Sequence, residues 1–438
     1  MILLVHTSTS ADNIPQQLGR PEYSYRFVLR EFMPLLKQLG TVVEVADPAD
    51  EVDPIYRDCL ARGESCLFLC FLPPNKTPIN LDCPTIPVFA WEFETLPNEA
   101  FGGKPRNDWR RILAKLGSAI THSSYTVECV HAQLGNDFPV ASIPAPLWDR
   151  MQALHNTPSP SRALTVNGLV VDSTRTDLSA YCKSKLLAAA PDALPLPPNF
   201  HEYQGSINLD GVVYTAVLNP YDARKDWPQM INAFCEAFRN TPDATLLIKL
   251  THHDPADLIP EMLEAIYTMG PSACRVLLVH AYLEETQYNA LLRNTTYALS
   301  VSRGEGQCLP LMEYMSAGVP AVACRHTSML DYIDDDCAFV IDSSLQIGAW
   351  PHDQRQAYRT LRQRVHYQSL VNAYRCSYYV ARHEPEVYRS MSEAAVGSLK
   401  RYCSNAVLLP RLRQFLEERI SSSSTGEKST PSLSAGAT

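Results

Sequence analysis

"VVYTAVLNPYDARKDWPQMINAF", residues 212–234, decides the fold. Its first seven residues are apolar or β-branched with no polar alternation, as in a strand buried on both faces. "NPYD" is turn chemistry. From Trp227 onward, Met230, Ile231 and Phe234 recur at helical spacing. A buried strand, a short loop and an amphipathic helix make half of a βαβ unit, which requires a parallel sheet covered by helices.

The same alternation runs outward in both directions. Downstream come "ATLLIKL", "IPEMLEAIYTMG", "CRVLLVHAYL", "EETQYNALLRNT", "YALSVS", "LPLMEYMSA", "PAVACR" and "CAFVID"; upstream it begins with "MILLVHT" and continues to "SAITHS". The expected fold class is α/β, with two doubly wound, Rossmann-like domains facing one another across a cleft. Residues 1–148 form the first domain, 149–210 a linker or inserted subdomain that could equally open the second domain, and 211–350 the second domain. Between the prolines of 149–210 the stretch "LSAYCKSKLLAAA" reads as a helix. Residues 351–420 read as helices, starting with "DQRQAYRTLRQRVHYQSLVNAYRCSY". The Ser/Thr/Gly-rich 421–438 read as a disordered tail.

Composition narrows the function. A chain of 438 residues with 45% hydrophobic residues has enough material for two cores. The net charge of −9 argues against nucleic acid as a partner. Thirteen cysteines without CxxC or Cys/His clustering read as buried thiols of a reducing cytoplasm, not as a disulfide framework or metal site. No run approaches the ~18 apolar residues of a membrane span. The basic, amphipathic "KPRNDWRRILAKLG" within 104–116 is the candidate for peripheral membrane contact.

Two loops carry the chemistry. In "SRGEGQCLPLMEYMSAGVP" a short helix starts near Pro310 and ends near Gly318, which has the position of a C-terminal cap. Its start offers backbone N–H groups at Gln307, Cys308 and Leu309, backed by the helix dipole, to an anion such as a diphosphate, with Gly306 beside them as a further donor-binding residue. Glu305 precedes that anion site and Glu313 lies one turn inside the helix, so the two acids suit sugar hydroxyls on either side of it. In isolation, they would read as a loop acid and a helix-stabilising acid. The second loop, "NPYDARKD", adds Arg224 and Lys225 as countercharge at the start of the second domain's first strand-helix unit.

These two stretches resemble the E-x7-E signature and the donor-phosphate lysine segment of family 4 retaining glycosyltransferases of the GT-B fold. The resemblance implies a metal-independent enzyme without a cofactor, moving a sugar from a nucleotide-diphosphate sugar to a glycan or lipid-linked acceptor, in bacterial surface polysaccharide synthesis. It implies that Glu305 holds sugar hydroxyls, Glu313 the ribose, and Lys225 the diphosphate. Where the family usually has an arginine six residues before the lysine, this chain has Asn219; Arg224, Lys249 and Arg303 are the candidates to replace its charge. Gly19 is the one glycine left in the loop that follows the first strand. Tyr282 is placed to stack on the base. Trp91, Glu92 and His122 end strands on the acceptor side. Other readings are an inactive, glycosyltransferase-like binding subunit of a polysaccharide-assembly complex, and a sugar-nucleotide epimerase or hydrolase of the same fold.

Overall fold

A computed structural model describes residues 1–9, 22–155, 157, 161–182 and 203–425. Gly19 and most of "LSAYCKSKLLAAA" lie outside the described residues. The first sheet contains β1 (Ile2–His6), β2 (Thr41–Glu44), β3 (Cys66–Cys70), β4 (Thr85–Phe89), β5 (Ala119–Thr121) and β6 (Val140–Ser142), all parallel, in the order β2-β1-β3-β4-β5-β6. Every residue of β3 and β4 is buried, which is why these strands show no alternation.

The second sheet contains β7 (Ala163–Asp172), β8 (Tyr203–Asn208), β9 (Val212–Leu218), β10 (Ala244–Leu250), β11 (Arg275–His280), β12 (Tyr297–Ser300), β13 (Ala321–Cys324) and β14 (Ala338–Ile341). Its order is β14-β13-β12-β9-β10-β11-β7-β8. Strands β9 to β14 are parallel; β7 and β8 add an antiparallel edge from within the range expected to be a linker. The helix Trp227–Ala237 buries Met230, Ile231, Ala233 and Phe234 against this sheet. Truncating a side chain such as Phe234 there would cost about 3–5 kcal/mol.

The helical expectation after residue 350 needs a correction. Tyr358–Val365 is β16, paired antiparallel with β15 (Ser343–Ala349), and helix begins only at Tyr367. "YRTLRQRV" contains good helix formers, but cross-strand pairing with β15 and docking on the first domain override that local propensity. The docking is specific. Trp350 is fully buried, its indole N–H donates to the Thr95 carbonyl at 3.1 Å, and Arg355 pairs with Glu99 at 2.8 Å.

The closing helices are Tyr367–His383, Pro385–Cys403 and Asn405–Thr425; the last continues five residues past the expected tail boundary at 420. They return the chain to the first domain, where the Tyr402 hydroxyl donates to the His122 carbonyl at 2.6 Å. The basic helix Trp109–Leu116 buries Trp109, Ile112 and Leu113 and leaves Arg111 exposed. No helix among the described residues is long and apolar enough to cross a membrane.

Candidate active site

The carboxyl ends of β4, β9 and β12 carry the loops that meet between the sheets. After β9, Asp222 caps the turn Ala223–Lys225 by accepting the Arg224 backbone N–H at 3.1 Å, and its carboxylate holds the Arg224 guanidinium at 2.6 Å. This turns Arg224 toward the first domain, where it pairs with Glu92 at 3.0 Å and donates to the Gly304 carbonyl at 3.0 Å. Lys225 points the other way and places Nζ 2.6 Å from Glu305 Oε1. Burial would lower the Lys225 pKa, but Glu305 together with the other acidic groups around it more than offsets this and the pKa stands raised, so the amine is charged at neutral pH. Asp226 follows in the left-handed region (φ 43°) and takes the Arg303 guanidinium through both oxygens, at 3.0 and 3.1 Å.

The helix Leu309–Ser316 begins as expected, with Pro310 in its first turn and Gly318 at φ 87° just past its end. Cys308, the N-cap, sits in the left-handed region at φ 59° with no side-chain cap. The N–H groups of Gly306, Gln307, Cys308 and Leu309 have no acceptor among the described residues, so this end can receive an anion. Side chains of Lys225, Glu305, Cys308 and Pro310 line a small cavity of about 20 Å³ beside it. Gly304 and Gly306 abut the first domain closely. A Cβ on Gly304 would lie 2.7 Å from the Glu92 carbonyl oxygen, and one on Gly306 would lie 2.8 Å from the Ala90 Cβ.

One turn into the helix, Glu313 is held on both sides. Tyr288 donates to Oε2 at 2.7 Å, and Arg150 approaches Oε1 at 3.3 Å while also pairing with Glu31 of the first domain at 2.8 Å. Burial raises the Glu313 pKa, with Arg150 opposing. Asp222, Tyr288 and Arg150 are the site residues that sequence reasoning missed. Asp222 has a sequence signal, because an Asp whose side chain accepts the backbone N–H two residues on makes an Asx pattern. Arg150 and Tyr288 have none, since each acts on a residue distant in the chain.

The remaining expected residues separate into cleft and interior. Lys249 is 6% exposed near the carboxyl end of β10, has no partner among the described residues, and burial lowers its pKa to about 8. Tyr282 is 43% exposed just past β11. Asn219 closes the turn after β9 by accepting the Tyr221 N–H at 3.0 Å. The Gln307 side chain reaches the first domain and accepts the Ala145 N–H. Two acceptor-side expectations are corrected. Trp91 is core, packed on Trp109 with ring centroids 4.7 Å apart, because it continues the buried face of Phe89. His122 is fully buried beside Phe32, its Nδ1 bonded to the Ile143 carbonyl at 2.9 Å, and burial lowers its pKa to about 4. Of the three, only Glu92 faces the second domain's loops.

No family model and no curated protein sequence matches this chain. Its backbone is similar to that of Anabaena HepE in complex with UDP, at 12% identity and a TM-score of 0.55, over 95% of this chain and 99% of HepE. The fold is GT-B. Sucrose-phosphate synthase from Thermosynechococcus elongatus is similar over 96% of this chain and 99% of its own, at 12% identity and a TM-score of 0.52. A Staphylococcus aureus TarM mutant, solved with fondaparinux, α-GlcNAc-glycerol and UDP, matches at 12% identity and a TM-score of 0.51 over 80% of this chain. The match spans about half of TarM, 55%. In a GT-B molecule the carboxyl edges of two sheets oppose one another, and this is where Glu92, Arg224, Lys225, Glu305 and Glu313 lie.

Proposed function

We propose that the protein is a metal-independent, retaining glycosyltransferase that moves a sugar from a nucleotide-diphosphate sugar to a glycan or lipid-linked acceptor. One observation carries this reading. Lys225, Glu305, the open N–H groups before Leu309 and the braced carboxylate of Glu313 converge on one end of one helix, in the spacing a sugar nucleotide needs. The diphosphate lies on the N–H groups, Glu313 takes ribose hydroxyls and Glu305 takes hydroxyls of the transferred sugar. As the bond from the anomeric carbon to the phosphate oxygen breaks, charge grows on that oxygen, and Lys225 stabilises it at close range in a partly dry site. The acceptor hydroxyl approaches from the side of Glu92. Lys225, Lys249 and the amides supply the countercharge that other enzymes take from a divalent cation. The UDP bound in HepE and TarM makes a uridine donor the first to try. A role in surface polysaccharide synthesis at the cytoplasmic face of a membrane, with Arg111 toward anionic lipid, belongs to the same proposal.

The test is a panel of nucleotide sugars with acceptor extracts, read as released nucleoside diphosphate and as glycosylated product, with and without EDTA. Acceptor-dependent release that EDTA leaves unchanged and Lys225→Ala abolishes is the expected result. Release that needs no acceptor, or an epimerised donor, would replace transfer with the hydrolase or epimerase reading. Nucleotide binding without turnover would identify a binding subunit.

A further inference from the structure

We infer that the edge of the second domain opposite the donor site carries a separate site for a small phosphate ester. A cavity of about 400 Å³ lies where the helix Glu285–Asn294 ends and β12 begins, lined by Arg162, Arg293, Asn294, Thr295, Thr296 and Tyr388. This volume is in the range of small-ligand pockets, about 300–1,000 Å³. No carboxylate lines it, and neither arginine forms an ion pair among the described residues, in a chain whose net charge is −9.

Asn294 makes the cavity more than a basic recess. Its side chain is 1% exposed, and both its Oδ1 and Nδ2 are buried without a partner. The buried Nε of Arg293, the next residue back, also lacks an acceptor. Each buried polar atom left without a partner costs about 1–3 kcal/mol. These atoms are closed off from the cavity as they stand, so a ligand that draws the Arg293 and Asn294 side chains toward it and pairs with all three would remove that cost. The two guanidinium groups and the Asn294 amide N–H2 supply donors to a phosphate. The Asn294 oxygen is an acceptor, and it pairs with a hydroxyl beside the phosphate, which selects a hydroxylated phosphate ester over the bare anion. Tyr388, on the far wall, donates to the Thr296 carbonyl at 2.8 Å and belongs to the helix Pro385–Cys403. That helix also touches the donor-site helix's end, through the Ser392 hydroxyl on the Gly318 carbonyl.

The experiment is calorimetric titration of the full chain with glycerol 3-phosphate and with inorganic phosphate, at matched ionic strength and with the donor cleft saturated by UDP. Glycerol 3-phosphate should bind saturably and more tightly than phosphate. Arg293→Gln and Arg162→Gln should each weaken it about tenfold or more, the loss expected for one charge-assisted hydrogen bond. Asn294→Leu should remove the preference for the ester over phosphate. Lys225→Ala, in the donor cleft, should leave the binding unchanged. Arg162 is exposed, so its variant keeps the test open if Arg293→Gln does not fold. Absence of saturable heat, equal affinity in the Arg162→Gln and wild-type proteins, or loss of binding in Lys225→Ala would each overturn the inference.

Discussion

Lys249 should cost the protein stability that Lys249→Met returns. Burial lowers its pKa from 10.5 to about 8, and no acid pairs with it among the described residues. Because the folded state holds this proton less tightly than the unfolded state, the penalty is complete below pH 8. It fades as pH rises through 10.5, above which both states are neutral. At about 1.4 kcal/mol per pKa unit, the difference corresponds to about 3 kcal/mol at pH 7. Lys249→Met, which keeps the chain length and removes the charge, should therefore raise stability by up to that amount at pH 7 and by little near pH 10.5. Urea unfolding of both proteins at the two pH values is the assay. An equal gain at both would assign the effect to packing, and no gain would refute the reasoning. A buried cation that costs stability at a cleft edge is the pattern of a functional group. The same variant should accordingly lose donor affinity, because a bound diphosphate would supply the missing partner.

Lys225→Ala and Glu305→Gln should each lower turnover about 10²–10⁴-fold, with the double variant close to either single one, because each single change leaves its buried partner unpaired at a 2.6 Å contact; kcat of the three proteins checks this. Tyr288→Phe removes the 2.7 Å bond that orients Glu313 and should raise the donor KM several-fold with kcat nearly unchanged, as steady-state kinetics would show. Gly306→Ala places a Cβ 2.8 Å from the Ala90 Cβ and should push the domain loops apart, seen as weaker nucleotide binding in a calorimetric titration.

Much of the fold could be read from the chain because the central strands of both sheets, such as β3, β4, β10 and β12, are buried on both faces, and an unbroken apolar run of strand length between turn residues suits few other structures. The helix Leu309–Ser316 was equally legible, since Pro310 and Gly318 mark its ends. What failed to show was structure set by contacts between distant segments. Tyr358–Val365 has helical propensity and becomes a strand only because β15 and the loop around Thr95 are there to receive it. His122 and Trp91 sit at strand ends, where sequence places cleft and core residues alike; only packing on Phe32 and Trp109 separates them. Arg150 was invisible for the same reason, because its meaning comes from Glu31 and Glu313, which lie 119 and 163 residues away along the chain.

The charges of the site also say how it must open. Around the phosphate position stand Arg224, Lys225, Lys249 and Arg303, against Glu92, Asp222, Asp226 and Glu305, so every cation but Lys249 is already paired with an acid where a diphosphate has to bind. Arg303 is held through both oxygens of Asp226, and among the described residues Lys225 pairs with Glu305 alone. Arg224 is shared, with Asp222 from its own loop and Glu92 from the opposite domain. Glu92 is the weakest holder of the set: burial raises its pKa, and Arg224 is what opposes that rise. An arriving diphosphate would therefore most readily displace Glu92, and the domain contact would be exchanged for a donor contact. Glu92→Gln should tighten nucleoside diphosphate binding, by up to about tenfold if one charge-assisted bond is freed. It should also loosen the closed domain arrangement. Calorimetry on the variant with UDP decides the matter: unchanged or weaker binding would mean that Arg224 stays with the protein and never serves the phosphate.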